Sequence, residues 1–176
     1  MSTDTEYFWI KKDPDSPTII DGGNLNRTNY PYFINEKTFS QIEDSVAYYK
    51  GKCTPCDILF EPTFLIHDRL QSIFQFLEPE LEFKGVQLYK NIDAKNFPMP
   101  LYWLPYLPVE AIISPNSKII QGKPHKLILS RLKLSDRRIF HCTLPAADIW
   151  IFNLEAAECL LRRQPVGIIF EKVSIE

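Results

Sequence analysis

With 176 residues, 20.6 kDa, 45% hydrophobic and 13% aromatic residues, the chain has enough apolar mass for a substantial core, which excludes disorder along its whole length. Twenty Lys and Arg against 22 acids leave a net charge of -2 and a pI near 6.0, without the basic excess of a general nucleic-acid or membrane-surface binder. Fourteen prolines, about 8% of the chain against a usual ~5%, count against an all-helical architecture.

In chain order, Tyr7-Phe-Trp-Ile-Lys11 predicts an opening strand, closed by the turn Lys12-Asp-Pro-Asp-Ser-Pro17. The stretch Asp21 to Pro31 is rich in turn formers and predicts an exposed loop. Phe39, Ile42, Val46 and Tyr49 recur every three or four residues, which favours a short helix within 36–49. Asp57-Ile-Leu-Phe60 reads as a buried strand or its end. Ile66, Leu70, Ile73, Phe74 and Leu77 mark one face of a helix from about His67 to Leu77, stopped by Pro79. Phe83 to Tyr89 follows as a strand, with Gly85 a candidate bulge.

Pro98, Pro100, Pro105 and Pro108 then forbid an interior helix, and extended edge structure fits residues 98–108 best. Further short strands are expected at Ala111–Ile113, Lys126–Ser130 and Ile139–Thr143. The end of the chain is the clearest part. Asp148–Phe152 predicts a strand, Asn153 the N-cap of a helix carrying Leu154, Ala157, Leu160 and Leu161, and Val166–Val173 a closing strand. The 12-residue connection is long enough to cross over to a parallel neighbour. The fold class expected is α+β, a mixed, mostly antiparallel sheet with two or three short helices packed on it, as one domain over 1–176 whose first 56 residues are less regular.

Four cysteines are too few for a disulfide scaffold, the acidic, polar start resembles no secretory signal, and no run nears the ~20 apolar residues of a membrane span. An intracellular protein with reduced thiols is expected. Charge is uneven: eight acids and four bases over residues 1–44, six acids and ten bases over 117–176. Either the two ends pack together and neutralise, or one face recognises a charged partner.

Chemistry-bearing motifs are sparse. Cys53-Thr-Pro-Cys56 is a C-x-x-C, but a polar stretch precedes it and an apolar run follows, the reverse of a redox motif's context. A thiol redox or zinc role is thus the alternative to two ordinary thiols. His141 and Cys142 are neighbours in an expected strand, so they point to opposite faces and do not form a nucleophile-base pair. Arg131, Lys133, Arg137 and Arg138 form the strongest basic patch, either a solvated strand-turn or a weak nucleic-acid surface. Tyr102, Trp103 and Tyr106 on proline-stiffened backbone are either core lining or a rigid recognition surface. No catalytic or cofactor constellation emerges, and neither cofactor nor metal is expected.

Taken together, Tyr7 to Pro17, the run Asp57-Ile-Leu-Phe-Glu-Pro-Thr-Phe-Leu-Ile-His-Asp-Arg-Leu70, Leu81-Glu-Phe-Lys84, Ile139-Phe-His-Cys142, Ile149 to Arg163 and Gly167-Ile-Ile-Phe-Glu171 resemble, in the order of their elements, an immunity-protein family of bacterial polymorphic toxin systems. The tail is the most similar part. What the resemblance implies is a non-enzymatic cytoplasmic protein whose partner is a cognate protein toxin, with no membrane or nucleic-acid partner. Leu154, Leu160 and Leu161 would then hold the last helix on the sheet, and self-association is compatible with the sequence. Contacts to the toxin would fall in the dissimilar parts, which makes Tyr102, Trp103, Tyr106 and the acidic turn Asp13 and Asp15 the candidate contact residues.

Overall fold

In the computed structural model, residues 5–16, 34–43, 45–49, 54–92 and 95–176 are described. Their elements, in chain order, are β1 (Tyr7–Lys12), α1 (Glu36–Gln41), β2 (Ser45–Tyr49), β3 (Ile58–Leu59), β4 (Leu65–His67), α2 (Asp68–Leu77), β5 (Glu82–Ile92), β6 (Lys95–Tyr106), β7 (Lys118–Ile120), β8 (Lys123–Lys126), β9 (Ile128–Leu129), a 3-10 turn (Arg131–Lys133), β10 (Ile139–Leu144), β11 (Ala147–Asn153), α3 (Leu154–Leu161) and β12 (Ile168–Ile175). The fold is α+β and its strands are mixed, mostly antiparallel. They divide into two sheets, ordered β10-β11-β1-β12-β9 and β2-β5-β6-β4-β3, plus the hairpin β7-β8. Each five-stranded sheet has one parallel pair among the described residues, β12 with β9 and β2 with β5.

Period-two alternation decides which residues meet. In β11, Trp150 and Phe152 point to a central cluster, while Ile149 and Ile151 point the other way. In the second sheet, Ile58 and Ile66 face the same central cluster, and Leu59, Leu65, Tyr102 and Leu104 face a cluster beneath α1. Helices α2 and α3 supply Leu70, Phe74, Leu77, Ala156, Ala157 and Leu160 to the central cluster, so both helices lie between the sheets. A phenylalanine as fully buried as Phe74 contributes about 2–3 kcal/mol of transfer free energy.

Local signals explain the helix boundaries. Asn35 caps α1, its Oδ1 accepting the Thr38 N–H at 2.9 Å while its own N–H donates to Thr38 Oγ1 at 2.9 Å. His67 caps α2 through Nδ1, which accepts the Arg69 N–H at 3.0 Å, and Asp68 adds a carboxylate to the first turn. Asn153 caps α3 as expected, its Oδ1 accepting the Ala156 N–H at 2.9 Å. Strands β11 and β12 run parallel to each other, but β1 is inserted between them and is antiparallel to both. The first and last strands therefore lie side by side, and Lys11 pairs with Glu171 at 2.8 Å and Lys172 with Glu6.

Several expectations are corrected. The helical spacing in 36–49 spans two elements: α1 ends at Gln41, Ile42 is already extended, and Ser45–Tyr49 is a strand with every second residue buried. Ile66 belongs to β4 rather than to α2. Gly85 pairs regularly with Trp103, and the irregularity in β5-β6 falls between Gln87 and Tyr89. Ala111–Ile113 makes only an isolated bridge, Ile113 to Leu129, and 126–130 is split between β8 and β9. The proline-rich segment is not an edge. It forms β6, the middle strand of its sheet, but β4 reaches it only at Tyr102 and Trp103. Its prolines at 98, 100 and 105 fall outside that two-residue stretch, where one side of the strand needs no donor. The predicted loop at Asp21–Pro31 lies outside the described residues.

The framework role of the last helix also shifts. Leu160 is buried, whereas Leu154 and Leu161 are exposed, and Ala156 and Ala157 complete the packed face. Leu160→Ala is expected to cost about 3 kcal/mol, as for a cavity in a closed core. Leu161→Ala is expected to stay within about 0.5 kcal/mol, a contrast that urea denaturation resolves. Among the described residues, no helix is long and apolar enough to cross a membrane.

Candidate functional site

The three aromatic candidates do not form one surface. Tyr102 and Trp103 are adjacent in β6 and so project to opposite faces. Tyr102 is fully buried beneath α1, and its hydroxyl donates to the Cys56 carbonyl at 2.7 Å. Burial, then the charge of Asp57, keeps that hydroxyl un-ionised by raising its pKa. Tyr106 is buried too, stacked on Phe39 with ring centroids 4.9 Å apart. Both are core lining, which removes them from the candidate contact surface. Trp103 is half-buried on the helix side, and its indole N–H donates to Asp68 Oδ1 at 2.7 Å. The acidic turn follows β1. Asp13 Oδ1 accepts the Asp15 N–H at 3.0 Å, and the Asp13 N–H donates to the Gly167 carbonyl at 3.0 Å. That bond places the turn beside the start of β12, with Asp15 exposed.

A cleft of about 550 Å³ opens between the β3-β4 loop, residues 60–64, and the β10-β11 hairpin, with Lys123 at its rim and Asp148 and Trp150 in its wall. The ring stack behind it is built by register. His141 lies opposite Trp150 in β10-β11, and the rings stack at 4.6 Å; on its other face Trp150 stacks on Phe64 at 4.8 Å. His141 Nε2 lies 2.5 Å from Asp148 Oδ1, and Nδ1 lies 2.9 Å from the Leu107 carbonyl. Burial is the largest influence on His141 and disfavours its charge, but the hydrogen bond and charge of Asp148, with the Leu107 carbonyl, outweigh it and raise the pKa.

In its protonated form both imidazole nitrogens donate, to a carboxylate and to a carbonyl, so no lone pair is left to accept a substrate proton. Asp148, 29% exposed, stands between His141 and solvent. The hydrogen-bonded pair braces the cleft wall. Asp148→Asn is expected to drop the His141 pKa below its ordinary 6.5, because burial is then opposed by hydrogen bonds alone. An NMR titration of the ring proton checks this, and an unchanged midpoint would show that Asp148 is not the counterion. Because the folded pKa is raised, the pair's stabilisation is complete below pH 6.5 and is lost as pH rises through the folded value.

Cys142 points to the opposite side of the sheet from His141, as expected, and burial first, then Glu110, pushes its thiol up to about 12. A thiol so hard to ionise is a poor nucleophile. Cys56 is buried, and Cys53 lies outside the described residues. Among the described residues no cluster of three His, Cys, Asp or Glu could hold a metal ion.

The charged residues are largely engaged with one another. Arg69 holds Asp57 through two nitrogens at 2.6 and 2.5 Å, and donates to the Arg163 and Gln164 carbonyls at 2.9 and 3.2 Å. Asp57 Oδ2 also accepts the Val166 N–H at 2.8 Å, so this clasp fastens the second sheet to the α3-β12 connection. Two members of the basic cluster are committed internally: Arg137 to Glu78 and Glu110 at 3.3 Å each and to Glu80, and Arg138 to Glu155 at 3.0 Å. These pairs leave the cluster less charge for phosphate contacts. Between Arg131 and Lys133, Leu132 is 97% exposed.

No family model matches the chain, and no curated protein matches it. A hairpin reading of Thr143 to Asp148 would have put His141 opposite Trp150 from sequence alone. The group of half-buried Trp9 and Lys11 with exposed Ile169 and Glu171, brought together where β1 meets β12, had no such signal, since the two strands are 160 residues apart in the chain.

Proposed function

We propose that the protein is a cytoplasmic immunity protein that neutralises a cognate toxin of a polymorphic toxin system by binding it, without catalysis. The observation that carries this reading is where the reactive groups spend their bonding capacity. His141 is engaged at both nitrogens, Cys142 is held un-ionised, and Asp57, Arg69 and Arg137 are engaged inside the fold. Surface recognition uses other groups, and the β1-β12 end offers them: the acidic turn Asp13 and Asp15, half-buried Trp9 over which Lys11 sits at 4.7 Å, and exposed Ile169. Aromatic anchors rimmed by charge suit a protein interface.

The test is to purify the protein with the polypeptide encoded beside its gene. A stable one-to-one complex that abolishes that polypeptide's toxicity is expected, and the double variant Asp13→Lys, Asp15→Lys is expected to slow association about tenfold through lost steering. Failure of every neighbouring gene product to bind or be neutralised overturns the reading.

A further inference from the structure

Among the described residues, strand β12 has one edge that its own sheet fills only in part. The Asp13 N–H donates to the Gly167 carbonyl, and with the β1-β12 register this sends the backbone groups of Ile169, Glu171 and Val173 toward β1. The even-numbered residues therefore present their N–H and C=O on the far side. At the two ends these have partners: the Val166 carbonyl accepts the Asp57 N–H at 3.0 Å, Ser174 pairs with Ile128, and the Glu176 N–H donates to the Leu129 carbonyl at 3.0 Å. Between them, the backbone groups of Ile168, Phe170 and Lys172 have no hydrogen-bond partner among the described residues.

The result is a window about five residues or ~16 Å long, in line with β9, bounded by Asp57 at one end and by β9 at the other. Unpaired strand groups are complementary to another extended backbone. A second copy of this chain does not fit, because its own β12 carries its own β9 and Asp57 segment on that same edge, and these would collide with their counterparts. A short extended segment fits. Its side chains would meet half-buried Ile168 and Phe170 on one face and exposed Ile169 on the other, which calls for apolar residues at those positions.

We infer that β12 takes up a short extended, apolar segment of a protein partner as an added strand, in line with β9. This rests on the immunity reading, in which the partner is the toxin. It differs from that reading in naming the backbone edge, rather than the acidic turn, as the place where the partner is held.

The experiment follows amide exchange by NMR on the full chain, alone and with the polypeptide encoded beside its gene. In the free protein the amides of Ile168, Phe170 and Lys172 are expected to exchange about 100-fold faster than those of Ile169 and Glu171, and to become protected in the complex. Lys172→Pro removes one outward N–H while sparing the ladder to β1, and is expected to weaken binding about 30-fold. Lys172→Ala keeps the N–H and loses only the exposed pair with Glu6, so a change under about threefold is expected. Slow exchange of the three amides in the free protein overturns the inference. So does a complex that leaves them unprotected, whatever the stability of the proline variant. A complex that forms with unprotected amides sinks this inference and leaves the immunity reading standing, whereas no complex with any neighbouring product sinks the immunity reading itself.

Discussion

Gly167→Ala is expected to destabilise the fold by about 3–5 kcal/mol. Gly167 has φ +102°, a conformation L side chains rarely adopt, and a Cβ there would lie 2.4 Å from Cys56 Cβ and 2.9 Å from the Ile58 carbonyl oxygen. Neither neighbour is the far end of a flexible side chain, so relief requires moving backbone. The position matters because the α3-β12 connection meets β3 there, with the Val166 carbonyl accepting the Asp57 N–H. Forcing the segments apart would loosen the joint between the two sheets. Gly122→Ala is the useful contrast: it too has positive φ, +75°, but its nearest contact is 3.0 Å, at Ala146 beside the exposed β7-β8 hairpin. About 1 kcal/mol is expected for it. Urea denaturation of both variants checks the order, and a Gly167→Ala loss below that of Gly122→Ala would refute the close packing at this joint.

Asp57→Ala is expected to cost about 2–3 kcal/mol at neutral pH, below what breaking a fully buried pair costs, because Arg69 remains 42% exposed and can be rehydrated. Part of the loss comes from the Val166 N–H, which would lose its acceptor. The pH dependence follows from the sign of the shift. Burial is the largest influence on Asp57 and would raise its pKa, but the Arg69 hydrogen bonds, the Val166 N–H, and the charges of Arg69 and His67 together bring it below the ordinary 3.8. A depressed folded value means that the carboxylate's stabilisation is complete above pH 3.8 and disappears as pH falls through the folded pKa. Wild-type and variant stabilities, measured by denaturant melts from pH 7 downward, should therefore converge in strong acid. A gap that stays constant below pH 3 would mean that packing, not charge, accounts for the loss.

The elements most legible in the sequence are those whose signals are local. The alternation in 148–152, the Asn153 cap, and the Leu70, Phe74, Leu77 spacing of α2 each depend on residues a few positions apart. Elsewhere the same local spacing is compatible with two structures. Phe39, Ile42, Val46 and Tyr49 fit a helix by period, but the run is shared between a helix that ends at Gln41 and a strand that begins at Ser45. The prolines of 98–108 ruled out an interior helix correctly, yet said nothing about the strands on either side. Tyr102 and Tyr106 looked like candidate contacts because aromatics serve both cores and interfaces, and only the placement of α1 over that face of β6 distinguishes the two.

By itself the sequence determined the α+β class, the strand-helix-strand tail and the opposed directions of His141 and Cys142, because backbone periodicity and capping are properties of neighbouring residues. The tertiary structure decided which strands share a sheet, that β1 inserts between β11 and β12, that His141 and Asp148 close into a hydrogen-bonded pair, and that part of one β12 edge has no strand partner among the described residues. Those features depend on pairings between residues far apart in the chain. Hydrogen bonds between strands are alike whatever the side chains, so such pairings are selected only by how the whole set of faces packs together.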